Sequence, residues 1–205
     1  AVDMQLQGQV STSELSDLTL QLHVAQQPER RLTLTADASW AEQFSADAGL
    51  DLQQFPWQWL YPLSLGELEV QQLALQAQLR GTTFQSELQA MLAGVGEQAA
   101  ELTAAVNGNA EQINLSALRL ATDSGSLSGQ AVVGLANGVS WDADLLLEAL
   151  NPQLFVSQLP GSLSGPITSS GALRNGALEL RADWNIDGTL RRQPLALSGE
   201  VSSQN

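Results

Sequence analysis

The chain contains no lysine and no cysteine among its 205 residues, and His23 is its single histidine. Without lysine, a phosphate-binding P-loop and Schiff-base chemistry are excluded, because both need that side chain. Without cysteine, disulfides, thiolate metal sites and a thiol nucleophile are excluded as well. Much of the usual catalytic repertoire is therefore missing, and we expect a protein that is not an enzyme and holds no cofactor.

Basic charge and long apolar runs are also scarce. Eight basic residues, all arginine, stand against 22 acidic ones, which gives a net charge of -14. A surface this acidic repels polyanions, so we predict no nucleic-acid partner. No stretch approaches the roughly 18 apolar residues that a membrane helix needs. We expect the chain to be an interior fragment of a longer protein, with any signal or membrane anchor outside it.

What the sequence does contain is period-two alternation of apolar and polar residues. In the clearest run, Leu178, Leu180, Ala182, Trp184 and Ile186 alternate with polar side chains. About thirteen such runs are separated by turn dipeptides of the Asn-Gly and Asp-Gly type. The composition of residues 97–106 favours a helix, but their alternation favours a strand, which we predict. Such runs predict a mainly β fold whose largely antiparallel sheet has one apolar and one polar face.

Two segments break the alternation and predict short helices, at residues 54–61 and 151–159. In the second, Asn151 is a suitable N-cap and Pro152 occupies the first helical position. The first carries four aromatic residues, namely Phe55, Trp57, Trp59 and Tyr61. They would either form a plug over the apolar face or pack as ordinary core residues across the sheet.

The two predicted helices belong to an internal repeat. Residues 44–51 align with residues 141–148 at an offset of 97, and residues 62–65 align with residues 160–163 at an offset of 98. The repeat units run roughly from 31 to 93 and from 127 to 190. Residues 1–205 are therefore predicted to form one elongated, repetitive β domain.

Candidate catalytic and metal-binding residues are few. His23 falls on the polar face of its strand, and no G-x-S-x-G sequence supplies a serine nucleophile for it. The carboxylate pairs Asp47–Asp51 and Asp142–Asp144 have spacings that could serve acid–base chemistry or a hard cation, but no further ligand clusters with them. We interpret them as solvated side chains and predict neither a catalytic site nor a metal site.

Several motifs resemble those of the TamB family within the AsmA-like group. They are Asn-Pro-Gln-Leu at 151–154, Leu-Pro-Gly-Ser-Leu-Ser-Gly at 159–165 and Leu-Ala-Leu-Ser-Gly at 195–199. The resemblance implies a sheet curled into an open trough with an apolar interior, which conducts phospholipids across the periplasm between the inner and outer membranes. It also implies a possible role in outer-membrane protein assembly, an inner-membrane anchor outside this chain and a TamA-like outer-membrane barrel as partner.

On this resemblance, the apolar phase of each strand would line the trough and contact acyl chains. The expected lining residues are Leu32, Leu34, Leu88, Leu102, Leu115, Leu178, Leu180, Trp184 and Ile186. Alternation alone also permits a different class of protein, a structural β-solenoid or passenger-like module whose apolar face closes on itself and binds no lipid. An acidic hydrolase is the least supported alternative, because its catalytic residues are missing.

Overall fold

The computed structural model describes residues 1–56, 69–94, 99–174 and 177–204, and these residues form thirteen β-strands. The strands are β1 (Val2–Val10), β2 (Glu14–Val24), β3 (Gln27–Ser39), β4 (Ser45–Gln53), β5 (Glu69–Arg80), β6 (Thr83–Ala93), β7 (Ala99–Gly108), β8 (Gln112–Thr122), β9 (Ser126–Gly134), β10 (Val139–Leu150), β11 (Gly161–Arg174), β12 (Ala177–Leu190) and β13 (Gln193–Gln204).

All thirteen strands belong to one sheet, in which each strand pairs antiparallel with its neighbours in sequence. The first and last strands do not pair with each other, so the sheet is open and has two edges. This arrangement confirms the mainly β class, the number of strands and the antiparallel connections. Strand β7 confirms the preference for a strand in the described part of residues 97–106. No helix in the described ranges is long or apolar enough to span a membrane.

Strand register aligns the apolar residues into rows that run across the sheet. Directly paired residues share a face, so a row can be followed from strand to strand. The central row crosses every strand and consists of Leu6, Leu20, Leu34, Leu50, Leu75, Leu88, Ala104, Leu118, Gly129, Leu145, Ile167, Trp184 and Gly199. None of its members carries a polar side chain.

Two flanking rows lie on the same side of the sheet, which we call the apolar face. The first contains Met4, Leu22, Leu32, Leu52, Leu73, Ala90, Leu102, Leu120, Leu127, Leu147 and Gly165. The second contains Val10, Leu15, Ala38, Ala46, Leu79, Phe84, Gly108, Ile113, Val133, Trp141, Gly171, Leu180 and Ser203. No charged residue occurs in any of the three rows.

The opposite side, the polar face, carries a different set of residues at the intervening positions. One of its rows reads Gln5, Gln21, Thr33, Asp51, Ala74, Gln89, Thr103, Arg119 and Ser128. Charged side chains therefore occur in this row, at Asp51 and Arg119, whereas the three rows of the apolar face contain none.

β-Bulges keep the apolar face in phase where the alternation of the sequence slips. Three strands place two leucines three residues apart on this face: Leu15 and Leu18 in β2, Leu115 and Leu118 in β8, and Leu147 and Leu150 in β10. The extra residue takes a left-handed backbone at Asp17 (φ 53°) and Ala149 (φ 52°). Its amide donates to a neighbouring side chain, to Asp37 Oδ1 at 2.8 Å and to Ser164 Oγ at 2.9 Å respectively. Each bulge thus returns the next leucine to the apolar face.

The prediction of two short helices is wrong for the described residues. After β4, residues 54–56 form a bend and irregular chain, while Trp57, Trp59 and Tyr61 lie outside the described residues. In the second segment only one 3₁₀ turn forms, at Pro152–Leu154. Asn151 does cap it, since its Oδ1 accepts from the Gln153 amide at 3.1 Å. The same oxygen accepts from the Gly161 amide at 3.0 Å, which returns the chain to a strand before a helix can extend.

The accessible surface of the chain shows how little of the sheet is covered. It amounts to 12854 Å². A compact monomer of 21.8 kDa exposes about 9,300 Å² by the usual scaling of surface with mass. The chain exceeds that value by more than a third, as expected for an open sheet whose apolar face is not covered by a complete second layer.

Candidate functional site

The two ends of the strands define two rims of the sheet with unequal connections. At one rim, which we call the long-loop rim, residues 54–68 join β4 to β5 and residues 151–160 join β10 to β11. At the other, the short-turn rim, all six connections have only two to five residues. The first flanking row lies near the long-loop rim, and the second lies near the short-turn rim.

Burial on the apolar face differs between these rims. In the described part of the chain, every buried apolar residue except Ala172 lies toward the long-loop rim. The directly paired residues Leu22, Leu32 and Leu52 there are only 9%, 8% and 4% exposed. At the short-turn rim, Val139, Leu173 and Leu178 are also directly paired but are 43%, 46% and 40% exposed. Directly paired apolar residues are therefore covered at the long-loop rim of β2–β4 and open at the short-turn rim of β10–β12.

Two residues from the long connections cover the apolar face at the long-loop rim. Phe55 follows β4, is 2% exposed, and belongs to a cluster with Leu22, Val24, Leu32 and Leu52. Leu154 in the 3₁₀ turn is fully buried in a second cluster, whose other members are Ala90, Leu92, Ala100 and Leu120. The partly buried side chains of Val70 and Leu73 pack against both clusters and connect them.

An arginine holds each of these connections by its backbone. The Arg30 Nε donates to the Gln54 carbonyl oxygen at 2.9 Å, next to Phe55. The Arg191 Nε donates to the Gln158 carbonyl oxygen, also at 2.9 Å, four residues after Leu154. Arg30 lies near the start of β3 and Arg191 in the β12–β13 connection, both at the long-loop rim, so an arginine holds each of the two segments paired by the predicted repeat. The repeat itself stays a prediction.

Strand register places all nine predicted lining residues on the apolar face. Leu34, Leu88 and Trp184 lie in the central row, Leu32 and Leu102 in the first flanking row and Leu180 in the second. Leu115 pairs with Val106 and Ala131 between these rows, and Leu178 and Ile186 alternate in phase with Leu180 and Trp184. Leu32 is buried and Leu178 exposed, while the other seven are half-buried.

Of the four aromatic residues predicted for the plug, only Phe55 is described, and it covers the apolar face without being in a helix.

Two tryptophans of the apolar face, Trp141 and Trp184, each pack against a glycine of the next strand, and Trp141 was not among the predicted lining residues. Its ring covers Gly171, and Trp184 likewise covers Gly199, so that a Cβ at either glycine would collide with the indole. The Trp141 Nε1 donates to Ser169 Oγ at 3.1 Å. A tryptophan directly opposite a glycine indicates such a contact, but the sequence shows which residues are opposite only once the strand register is known. On the apolar face of β10–β13, each indole therefore occupies the space that a side chain at the opposite glycine would fill.

Charged groups pair with one another on the polar face. Arg80 contacts both carboxylate oxygens of Asp47, at 2.7 and 2.8 Å. Arg181 contacts Asp183 at 3.1 Å and Glu200 at 3.2 Å, and the hydrogen bond to Asp183 raises the pKa of the guanidinium above its ordinary value. His23 lies half-buried on this face, paired with Arg31. Within the described ranges, no three acidic or histidine side chains come together in a group that could hold a metal ion.

Comparison with known proteins gives one family. A family model described as TamB, N-terminal domain, matches residues 1–205, the full length of the chain. No solved structure matches it. The match agrees with the resemblance carried by the motifs at 151–165 and 195–199 and with the open antiparallel sheet.

Proposed function

Since this chain belongs to the TamB family, we propose that its apolar face binds phospholipid acyl chains and conducts them across the periplasm between the inner and outer membranes. The observation that carries the proposal is the central row, an unbroken line of uncharged residues across all thirteen strands. At about 4.8 Å per strand this row measures roughly 58 Å. It offers an acyl chain an apolar path in the direction of the sheet rather than a single pocket.

The energetics of lipid transfer explain why continuity matters. Each acyl CH₂ that leaves water gains about 0.8 kcal/mol, so an exposed chain of sixteen carbons loses on the order of 12 kcal/mol. A single charged residue in the path would force the lipid past a polar barrier. The three rows contain no such residue, and their occasional interruptions are glycine and serine. The face is therefore suited to movement along it, since no side chain fixes a ligand at one position.

We further propose that the sheet curls around its apolar face into a trough. The large accessible surface of 12854 Å² supports an open arrangement and opposes the alternative module whose apolar face is closed on itself. A closed apolar face would bury Val139, Leu173 and Leu178, but each of them is 40% or more exposed. Curling would bring exposed rows nearer to one another while keeping room for lipid between them.

Family membership also supports the cellular setting that we propose. In it, the protein works in the periplasm, is anchored in the inner membrane by a segment outside this chain, and reaches a TamA-like barrel in the outer membrane. A contribution to outer-membrane protein assembly belongs to the same proposal. The chain acts without catalysis, cofactor or metal, because binding and release on the apolar face need only the hydrophobic effect.

Site-specific photocrosslinking tests the proposed function. Leu180 lies on the apolar face between Gly171 and Ser203. Arg181, the next residue in the strand, lies on the polar face. A photoreactive residue at each position is exposed to vesicles of phosphatidylethanolamine and phosphatidylglycerol, and lipid adducts are measured by mass spectrometry. We expect at least tenfold more adduct at position 180. Equal labelling at both positions, or none at 180, would overturn the proposal.

A further inference from the structure

The two rims of the apolar face play different parts in lipid binding. We infer that the short-turn rim is the mouth, where lipids enter sideways and their polar head groups remain in water, and that the long-loop rim is sealed and receives the ends of the acyl chains. This inference rests on the proposed function and assigns an orientation to the lipid within the same face.

Burial supplies the first argument. At the long-loop rim, Leu22, Leu32 and Leu52 are already covered, so little of their apolar area remains for a lipid to remove from water. At the short-turn rim, Val139 and Leu178 present the same aliphatic chemistry to water. Because the hydrophobic gain is proportional to the apolar area removed from water, a lipid gains most where the face is still exposed. Entry is therefore favoured at the short-turn rim.

The connections supply a second, independent argument. Leu154 and Phe55 fill the apolar face at the long-loop rim, and Arg191 and Arg30 fasten the backbones that carry them. Connections of two to five residues at the short-turn rim are too short to fold over the face in the same way. A head group at the long-loop rim would have to displace the arginine-held segments, whereas no described residue of the short-turn connections is buried over the apolar face.

Strand β12 offers a matched pair of positions for the test. Leu178 lies at the short-turn rim and Ile186 toward the long-loop rim, eight residues apart on the same face. At about 3.4 Å per residue their separation is roughly 27 Å. This is longer than the distance between carbon 5 and carbon 16 of one acyl chain, the two positions at which the lipid will carry a quencher. Since the chain has no cysteine, Leu178→Cys and Ile186→Cys each give a unique attachment point for a fluorophore. Asp187→Cys, on the polar face, is the control.

Each labelled 205-residue chain is loaded with phosphatidylcholine that carries a nitroxide at carbon 5, near the head group, or at carbon 16, near the chain end. We expect the ratio of carbon-5 to carbon-16 quenching to be at least twofold higher at position 178 than at position 186, with little quenching at 187. Circular dichroism confirms that the variants retain their strands.

The outcomes separate the two proposals. Quenching at 178 and 186 with equal or reversed ratios overturns the orientation and leaves lipid binding intact. Absence of quenching at both positions, in folded variants, overturns the proposed function and the orientation with it. Quenching at 187 as strong as at 178 shows that the lipid does not distinguish the faces, and this result also overturns both.

Discussion

Burial of individual leucines depends on the rim at which they lie more than on the alternation that predicts their face. Leu32 and Leu178 occupy the same phase in their strands, yet the first is 8% and the second 40% exposed. The sequence assigns both to the apolar face because period two is enough to define a face. It does not distinguish them, because the cover over Leu32 comes from Phe55, a residue in another connection.

This difference predicts unequal stability losses for the same substitution. Leu32→Ala should lower the free energy of unfolding by about 2–4 kcal/mol, because it leaves a cavity in a packed cluster. Leu178→Ala should cost less than about 1 kcal/mol, because the side chain is largely in water already. Urea denaturation followed by circular dichroism measures both values. Similar losses for the two variants would contradict the described difference in burial.

At the scale of elements, strands were predictable and their irregularities were not. Period-two runs gave the strand count, since each run contains enough alternating residues to fix one face. A Leu-x-x-Leu spacing is equally compatible with a helical turn, and only the register shows that β2, β8 and β10 resolve it with a bulge. The helix predicted at 151–159 failed for a related reason. Local capping signals were correct at Asn151, but the strand beginning at Gly161 ended the helix after one turn.

Asn151 should be the residue on which the β10–β11 connection most depends. Its side-chain oxygen accepts two backbone amides, those of Gln153 and Gly161. Asn151→Ala leaves both amides without this acceptor and should lower the free energy of unfolding by about 1–2 kcal/mol.

The measurement is urea denaturation combined with hydrogen exchange at the Gly161 amide, which should become faster. Asn137→Ala, in an exposed connection at the short-turn rim, is the matched control and should change stability by less than about 0.5 kcal/mol. An Asn151→Ala variant with unchanged stability and exchange would show that the cap does not hold the connection.

At the scale of the whole molecule, the sheet combines an ordinary number of residues with an unusually large surface. A compact protein of this length would have a radius of gyration near 17 Å. Thirteen strands at about 4.8 Å give a sheet of roughly 58 Å, for which we expect a radius of gyration of about 20 Å or more. Small-angle X-ray scattering measures it directly. A value near 17 Å would mean that the sheet is folded back on itself and that its apolar face is not accessible.

For the candidate site, the lining residues could be predicted from the sequence, but the unequal burial at the two rims could not. The lining residues follow from alternation, so they were predictable one strand at a time. The unequal rims were not, because they result from contacts between the 3₁₀ turn after β10 and strands β6 to β8. Such contacts join residues 34 to 64 positions apart, and no local pattern records them.

The order of strands in the sheet has a consequence for how the protein forms. Every strand pairs only with its sequence neighbours. Each strand can therefore pair as soon as the next one has been synthesised. Each pairing closes a short loop, which keeps the entropy loss of every step small. Stability then accumulates as a sum of neighbour terms, as in linear repeat proteins. A hairpin gained or lost at an edge leaves all other pairings intact, so evolution can vary the length of such a sheet while its cross-section stays the same.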